Sequence, residues 1–278
     1  MKKLIFLKLG GSLITDKTKP FTLRTDYIKR IASEISEAIK ENKDLKVIIG
    51  TGTGSFGHYP VQHYGIEEGL KTDRHRYGFC SVHNWVSKLN GMVVEELLRL
   101  NIKAFSFYPS SMMTAKNGNI SQFFYQPIIH MVEMGVIPVV HGDMLYDEVR
   151  GSTICSVEMI FSKLITRLHV LKTYQFTIIY AGLTDGVLDS KKNTVPVITN
   201  DTIDFVSQLF FDTEGYDVTG GMKSKVLSCL QIAKYGVESL IINGTTKGNI
   251  KKALLGKEVK GTRIINGESE SARLRLRS

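Results

Sequence analysis

The sequence predicts an α/β protein, a three-layer αβα sandwich with a mainly parallel central sheet. Short, continuous apolar runs recur along the 278 residues, and stretches with apolar residues at helical spacing separate them. Parallel strands need such connections, and because both of their faces are covered they read as unbroken apolar runs.

The strands are predicted from these apolar runs. The first, LIFLKLG at 4–10, is interrupted only by Lys8, and VIPVVHGD at 136–143 is the strongest of the later ones. The predicted strands are 4–10, 45–50, 103–109, 136–143, 176–182, 238–244 and 261–265. We expect them to form one continuous sheet.

The helices are predicted from the spacing of their apolar residues. The first is expected to be capped by Thr25 or Asp26 and carries isoleucines at every third or fourth position up to Ile39. Further helices are predicted at 84–100, 128–134, 156–168, 222–236 and 249–255. Residues 1–266 are expected to be a single domain, and the polar residues 267–278 a flexible tail.

Composition excludes several classes of protein. Hydrophobic residues make up 42% of the chain and charged residues 23%, as in ordinary soluble domains. No apolar run approaches the roughly 20 residues of a membrane helix. Lys8 and two glycines interrupt the first run too early for a signal peptide. The three cysteines are far apart and lack a metal-binding spacing, so we expect reduced thiols and a cytoplasmic protein.

The net charge of +9 is compatible with a nucleic-acid partner, but it does not decide the function by itself. Basic residues are dispersed along the chain, apart from RLRLRS at its end, whereas a nucleic-acid-binding surface clusters them. We therefore expect no nucleic-acid partner and no membrane partner. An enzyme that handles phosphate groups also needs cationic side chains.

The first glycine-rich loop, KLGGSLITDK at 8–17, offers backbone amides at Gly10, Gly11 and Ser12 that can hold phosphate oxygens. Lys8 lies within an apolar strand, where a cation is costly without an anionic partner. Lys17 follows the loop. The alternative is an ordinary glycine turn with a lysine at the strand edge.

The second glycine-rich loop, GTGTGSFGH at 50–58, follows the second predicted strand. Its GxGxxG pattern is weak alone, because no acidic residue follows at the interval that dinucleotide binding requires. His58 is more informative, since an imidazole near pH 7 can carry a proton and donate to a phosphate. No role is assigned to His63, His75 and His83.

Three later positions could also serve a site at the carboxyl ends of the strands. Asp143 could bind a substrate group, orient a lysine, contact Mg²⁺ or simply cap the next segment. Asp185 lies in the turn LTDGV, a weak signal by itself. TGGMKSK, with Lys223 and Lys225, is expected to supply free amides and positive charge at a helix N-terminus.

Together these stretches resemble the amino acid kinase superfamily. KLGGS, the glycine-rich loop, GD after a central strand, TDGV and TGGMxxK occur in the family's order over nearly the whole chain. Within the superfamily, GSFGH and ITDK are similar to the isopentenyl phosphate kinases and their close relative, the fosfomycin kinase. The resemblance implies transfer of the γ-phosphoryl group of ATP to the phosphate of a small phosphomonoester such as isopentenyl phosphate.

The resemblance also implies a role for each matching residue. Lys8 would bridge the acceptor and the transferred group, Lys17 would stabilise transition-state charge, and His58 would bind the acceptor phosphate. The implied ATP-binding residues are Gly10, Gly11, Ser12, Thr53, Asp185, Gly220 and Lys225. The implied substrate-binding residues are Gly52, Gly54, His58, Val157 and Glu158. The candidate orienting carboxylates are Asp143 and Glu158.

The resemblance further implies ATP and Mg²⁺ as cofactors, with Mg²⁺ held mainly by ATP and water and by no metal site of the protein. It implies a homodimer, with an acceptor-binding part at about 1–170 and a nucleotide-binding part at about 171–266. An apolar pocket would hold a hydrocarbon tail. Its candidate residues, for which core packing is an equally good account, are Phe79, Val82, Val86, Met112 and Met113.

Two departures from the family pattern leave alternatives open. Thr53 replaces the middle glycine of GGGSFGH, and the residues at 156–158 read SVE where the family has SGD. Valine adopts a positive φ only at a cost. Glu158 either replaces the family's aspartate, selects another acceptor or marks reduced activity. The alternatives are a kinase for a phosphonate such as fosfomycin, or for another phosphorylated metabolite, and a catalytically impaired nucleotide-binding sensor.

Overall fold

The computed structural model describes residues 2–66, 69–202 and 218–267, so the predicted tail from 268 onward lies outside the described residues. The strands are β1 (Lys2–Leu9), β2 (Lys46–Thr51), β3 (Ala104–Ser106), β4 (Met113–Lys116), β5 (Asn119–Phe123), β6 (Ile137–His141), β7 (Asp143–Asp147), β8 (Gly151–Cys155), β9 (Tyr174–Gly182), β10 (Val197–Ile198), β11 (Glu238–Asn243) and β12 (Gly261–Ile264). The helices are α1 (Gly11–Ile14), α2 (Thr25–Glu41), α3 (Gly54–Tyr64), α4 (Asp73–Arg99), α5 (Gln126–Glu133), α6 (Val157–His169), α7 (Val218–Ala233) and α8 (Asn249–Leu254).

The main sheet has eight strands in the order β10-β12-β11-β9-β1-β2-β6-β3. Neighbouring strands run parallel except β11 and β12. In this sheet Lys8 of β1 lies opposite Gly50 of β2 on one side and Tyr180 of β9 on the other. The predicted mainly parallel sheet is therefore confirmed.

Helices cover both faces of the main sheet. Because side chains alternate along a strand, Leu4 and Phe6 of β1 join one apolar cluster, and Ile5 and Leu7 join the other. Residues of α5, α6 and α7 complete the first cluster, and residues of α2, α4 and α8 complete the second. These three layers confirm the predicted αβα sandwich.

A second sheet, which the sequence did not predict, has four short strands in the order β5-β4-β7-β8. The expectation of one continuous sheet is therefore wrong. The chain enters the second sheet twice, between β3 and β4 and again at Gly142, between β6 and β7. Asn117 and Gly118, with φ of 49° and 82°, join β4 to β5, and an Asn-Gly pair of this kind is typical of a tight hairpin turn.

Three helices begin at other places than predicted. The N-cap of α2 is Arg24, with no side-chain cap hydrogen bond, so the predicted cap at Thr25 or Asp26 is wrong. α4 begins at Asp73, well before residue 84, and α7 begins at Val218, so TGGM lies inside the helix rather than before it. Within the described ranges, no helix has both the length and the apolar character to cross a membrane.

Candidate active site

The carboxyl end of β1 turns directly into the short helix α1. The amide of Gly10 donates to the carbonyl of Ala181 in β9 at 2.9 Å, so this amide, which the sequence suggested for phosphate, is part of the sheet. The amides of Gly11 and Ser12 lie in the first turn of α1. Amides at that position have no partner within a helix, so they suit an anion.

The two glycine-rich loops pack against each other backbone to backbone. The amide of Gly52 donates to the carbonyl of Leu9 at 2.8 Å, and a Cβ atom on Gly52 would overlap the amide nitrogen of Gly11. Gly54 has a φ of +48°, and a Cβ atom there would overlap the hydroxyl of Thr15. These glycines bring the ends of β1 and β2 together because they lack side chains.

Lys8 and Glu158 form an ion pair at the carboxyl end of β1. Glu158 lies in the first turn of α6, whose N-cap residue, Ser156, accepts a hydrogen bond from the amide of Met159. The side chain of Lys8 is 14% exposed and that of Glu158 is 19% exposed. Burial raises the pKa of Glu158, but the charge and hydrogen bond of Lys8 outweigh it, and the pKa lies below its ordinary value.

Two more lysines contribute to the field at this pair. The Nζ of Lys225, from α7, lies 5.9 Å from the ring centroid of Tyr180. Burial lowers the pKa of Lys225, the charges of Lys8 and Lys17 lower it further, and the carboxylate of Glu158 acts in the opposite direction. Lys8 and Lys225 thus both act on Glu158, and Lys17 acts on Lys225. The excess of positive over negative charge suits a polyanionic ligand.

His58 is exposed in the second turn of α3 and lines a cavity of about 200 Å³. Most of the lining is apolar, and the whole set is Thr53, Gly57, His58, Val61, Val82, Val86, Gly142, Asp143, Met144 and Ile154. Thr53, which the sequence assigned to ATP, lies in this wall, where its side chain packs between Gly57 and Gly142.

The predicted tail-binding residues divide into three groups. Val82 and Val86 line the cavity beside His58, and Phe79 packs against the small apolar cluster that contains both valines. Met112 and Met113 belong to the main apolar cluster instead. Met144 and Ile154 also line the cavity, but they lie on strands of the second sheet, which gave no clear signal in the sequence.

Asp143 has a partner that the sequence did not predict, His83. The Nδ1 atom of His83 lies 3.0 Å and 3.2 Å from the two carboxylate oxygens of Asp143. The amides of Ser110 and Met144 also donate to this carboxylate. The hydrogen bond to Asp143 raises the pKa of His83, although burial opposes it. Burial raises the pKa of Asp143, but His83 and the nearby His141 outweigh it and lower that pKa.

Of three other predicted residues, one follows the carboxyl end of β9, one lies in α7 and one lies in α6. Asp185 accepts a hydrogen bond from Asn243 at 3.0 Å and pairs with Lys260 at 3.0 Å. Gly220 lies near the start of α7. The side chain of Val157 is buried against Gly50 and Phe161 in the core, and its φ is not positive, so the cost anticipated for valine at this position does not arise.

Two further features of the described residues bear on the location of the site. No group of three or more His, Cys, Asp or Glu side chains in those residues is suited to a metal ion. A larger cavity, of about 990 Å³, lies at the opposite ends of the strands and is lined by Lys2, Lys46 and Lys103 among others. None of the motif residues lines it, so we take the smaller cavity as part of the site.

Comparison with known proteins agrees with this geometry. The model of the amino acid kinase family matches residues 3–243. The isopentenyl phosphate kinase of Methanothermobacter thermautotrophicus is 37% identical over 270 residues, which cover 94% of this chain and 98% of that protein. The isopentenyl phosphate kinase of Methanocaldococcus jannaschii is 34% identical over 267 residues, with the same coverage of both chains.

Solved structures give the same relationship. An X-ray structure of an isopentenyl phosphate kinase superposes with a TM-score of 0.77 at 34% identity, over 94% of this chain and 100% of that one. A substrate complex of an isopentenyl phosphate kinase superposes with a TM-score of 0.72 at 25% identity, over 94% and 99%. This chain therefore belongs to the amino acid kinase family, among its isopentenyl phosphate kinases.

Proposed function

We propose that this protein transfers the γ-phosphoryl group of ATP to the phosphate of isopentenyl phosphate and releases the diphosphate. The observation that carries the proposal is the ion pair of Lys8 and Glu158, with the charge of Lys225 acting on both residues, at the same ends of the strands as His58. Lys17 adds a further cation that acts on Lys225. The identity to isopentenyl phosphate kinases over nearly the whole chain supports the same activity.

The reaction joins two anions, so its main physical obstacle is their mutual repulsion. Catalysis of phosphoryl transfer is largely positioning and neutralisation of charge. We assign Lys225 to the phosphates of ATP, Lys8 to the space between the two reactants, and Lys17 to the charge that develops in the transition state. The amides of Gly11 and Ser12 would hold ATP oxygens.

Glu158 has a positioning role in this scheme. Its carboxylate holds the Nζ atom of Lys8 at the end of β1, so the lysine does not swing freely. The ion pair also provides the anionic partner that a half-buried cation needs. Glu158 would thus take the place of the aspartate in the family pattern. This role argues against the alternative of a catalytically impaired nucleotide-binding sensor.

The acceptor would bind with its phosphate at His58 and its hydrocarbon tail in the cavity of about 200 Å³. Gly52 and Gly54 would bring backbone close to the phosphate. The walls formed by Val61, Val82 and Val86 suit a small, branched hydrocarbon rather than a polar group. This apolar wall favours an alkyl phosphate over fosfomycin as the acceptor.

Mg²⁺ would arrive with ATP and be held mainly by ATP and water. The ion, when bound, neutralises charge on the β- and γ-phosphates. We propose in addition that the protein is a cytoplasmic homodimer. Free cysteines at 80, 155 and 229 fit a reducing compartment, and light scattering of the purified protein would give the oligomeric state.

The test is a direct assay of the purified full-length chain with ATP, Mg²⁺ and isopentenyl phosphate. Phosphorus NMR should show the acceptor resonance replaced by the two resonances of a diphosphate, together with ADP. Lys17→Ala should lower kcat by about a hundredfold, whereas Lys116→Ala, a change at an exposed lysine distant from the motifs, should match the wild type. A folded wild-type protein without turnover would reject the proposal.

An acceptor panel separates this proposal from its nearest alternative. Isopentenyl phosphate, fosfomycin and a short linear alkyl phosphate would be compared by ADP release at equal concentrations. We expect the highest kcat/KM for isopentenyl phosphate. A higher value for fosfomycin would move the protein to the phosphonate kinases while leaving the phosphoryl-transfer mechanism intact.

A further inference from the structure

The loop between α1 and α2 carries Lys17 and is closed on itself. Thr15 and Leu23 form an isolated antiparallel bridge, and the amide of Asp16 donates to the carbonyl of Thr22 at 2.9 Å. The carboxylate of Asp16 accepts from the amide and the hydroxyl of Thr18, at 3.0 Å and 2.7 Å. Residues 16–22 therefore form a compact tip with Lys17 exposed on it.

Phe21, in the same tip, has an unfavourable backbone conformation. Its φ is +50°, in the left-handed region that bulky residues rarely adopt. Such a conformation persists only where surrounding contacts compensate for it, and it often occurs at functional sites.

The compensating contacts are aromatic. The ring of Phe21 stacks on Trp85 with centroids 4.1 Å apart and planes 25° apart. It also meets the edges of Phe56 at 5.8 Å and Tyr59 at 5.4 Å. Both arrangements are favourable for aromatic pairs.

These rings belong to α3 and α4, two of the elements that line the acceptor cavity. Phe56 and Tyr59 flank His58 in α3, and Trp85 lies in α4 beside Val86, which lines the cavity. A hydrogen bond from the amide of Thr22 to the hydroxyl of Ser55, at 3.3 Å, gives a second connection to α3. The loop that contains Lys17 thus packs against α3 and α4, which line the acceptor site.

We propose that Phe21 is a positioning residue for phosphoryl transfer, acting through Lys17. Its ring, seated on Trp85, fixes the distance between the Lys17 loop and the acceptor bound at His58. The proposal rests on the function proposed above, because it needs Lys17 to act in the transition state. Whether the Phe21 ring holds the Lys17 loop in place can be tested without turnover.

The kinetic test is a double-mutant cycle with Phe21→Ala and Lys17→Ala. Phe21→Ala should lower kcat by about tenfold or more, since a misplacement of about 1 Å can cost a hundredfold, with little change in KM for ATP. In the Lys17→Ala background the same change should have no further effect on kcat. Independent, multiplicative effects of the two changes would overturn the proposal.

Two variants at position 21 separate the ring from the backbone. Phe21→Gly relieves the strain of the positive φ but removes the ring, so it should be as impaired in kcat as Phe21→Ala. Phe21→Tyr keeps the ring and should have the kcat of the wild type. Wild-type kcat in Phe21→Gly would reject a role for the ring. Phe21→Leu, which retains apolar volume, replaces Phe21→Ala if the latter does not fold, with the same expected loss.

The loop itself can be followed through Trp85, the single tryptophan of the chain. Phe21→Ala should shift the emission of Trp85 to the red, increase its quenching by acrylamide and speed cleavage by trypsin after Lys17. Phe124→Ala, at an exposed phenylalanine outside the cluster, should change none of these. Unchanged emission and cleavage in Phe21→Ala would overturn the proposal even if the wild-type enzyme uses another acceptor.

Discussion

The Nζ atom of Lys8 and the carboxylate of Glu158 meet at the carboxyl end of β1, although 150 positions separate the residues in the sequence. Lys8 extends from the centre of the main sheet, and Glu158 begins the helix that follows the second sheet. The pair is only slightly exposed, so its charges are weakly screened. It connects the end of β1 with the first turn of α6 at the proposed site.

Glu158→Gln should lower both stability and activity. The change leaves the Lys8 cation without its carboxylate, and we expect a loss of about 1–3 kcal/mol in the free energy of unfolding. We expect kcat to fall by about tenfold or more because Lys8 is no longer oriented. Chemical denaturation and steady-state kinetics measure the two effects.

Glu148→Gln provides the matched control, since that carboxylate is exposed and lies 3.9 Å from Lys116. Glu148→Gln should not measurably change the free energy of unfolding or kcat. Wild-type kcat in Glu158→Gln would contradict the positioning role. The folded-state pKa of Glu158 is depressed, so its contribution to stability is present above its ordinary value of 4.5 and is lost as the pH falls through the folded-state pKa.

His58→Ala should weaken acceptor binding while leaving ATP binding unchanged. A hydrogen bond to a charged group contributes about 1.5–3 kcal/mol, so KM for the acceptor should rise by about tenfold to a hundredfold. His63→Ala is the control, because His63 lies in the same helix and is absent from the cavity wall. Equal KM values for His58→Ala and the wild type would exclude the imidazole from the acceptor site.

The sequence predicts the main sheet well because its strands are buried on both faces. β1 and β9, with eight and nine residues, read as nearly unbroken apolar runs. The second sheet escaped prediction because its strands have five residues or fewer and mix buried with exposed positions. The Asn117-Gly118 turn was its one strong local signal.

The sequence did not predict helix α3, for a different reason. Its sequence, GSFGHYPVQHY, contains two glycines, a serine and Pro60, all poor helix formers. Tertiary packing overrides this weak propensity, because Phe56 and Val61 are buried against the core and against α4. His58 could be singled out from the loop pattern, although its helical setting could not.

The partner of Asp143 could not be predicted at all. His83 lies in α4, in a stretch where a histidine looks like any half-exposed helical residue. Its contact with Asp143 spans 60 positions and depends on how α4 packs against the second sheet. Motif spacing identifies residues that share a loop, whereas pairs of this kind follow only from tertiary structure.

Gly54→Ala should disrupt the contact between the two glycine-rich loops. The positive φ and the overlap of a Cβ atom with Gly11 and Thr15 both oppose the substitution. We expect a loss of about 2–4 kcal/mol in unfolding free energy and a higher KM for both substrates. Gly135→Ala separates the two causes, because its φ is +74° but its Cβ would meet open space.

Gly135→Ala should therefore lower the free energy of unfolding by only about 1 kcal/mol, because only the backbone conformation opposes the substitution. Thermal or urea denaturation of both variants under identical conditions measures the difference. Equal losses in the two variants would show that the close approach of the loops adds nothing to stability.

Thr53→Gly should widen the range of acceptors. The Thr53 side chain fills the space between Gly57 and Gly142 in the cavity wall. Its removal should lower KM for alkyl phosphates with longer tails, and the greater freedom of glycine should cost about 0.5–1 kcal/mol of stability. Kinetics with a series of increasing tail lengths measures the first effect.

Thr53→Ser is the intermediate variant, because it removes only the methyl group next to Gly142. It should change the preference for tail length in the same direction but less strongly. If the wild type, Thr53→Ser and Thr53→Gly prefer the same tail length, Thr53 does not limit the length of tail that the cavity accepts.

The His83–Asp143 pair should make the unfolding free energy depend on pH above pH 6.5. The folded-state pKa of His83 is raised above 6.5, so the stabilising effect is complete below that value and is lost as the pH rises through the folded-state pKa. Burial lowers the pKa of the neighbouring His141, which contributes in the opposite direction. We therefore expect the unfolding free energy of the wild type to fall relative to that of His83→Gln as the pH rises above 6.5 and through the folded-state pKa of His83. Urea denaturation across this range measures the difference, and parallel curves for the two proteins would contradict the assignment.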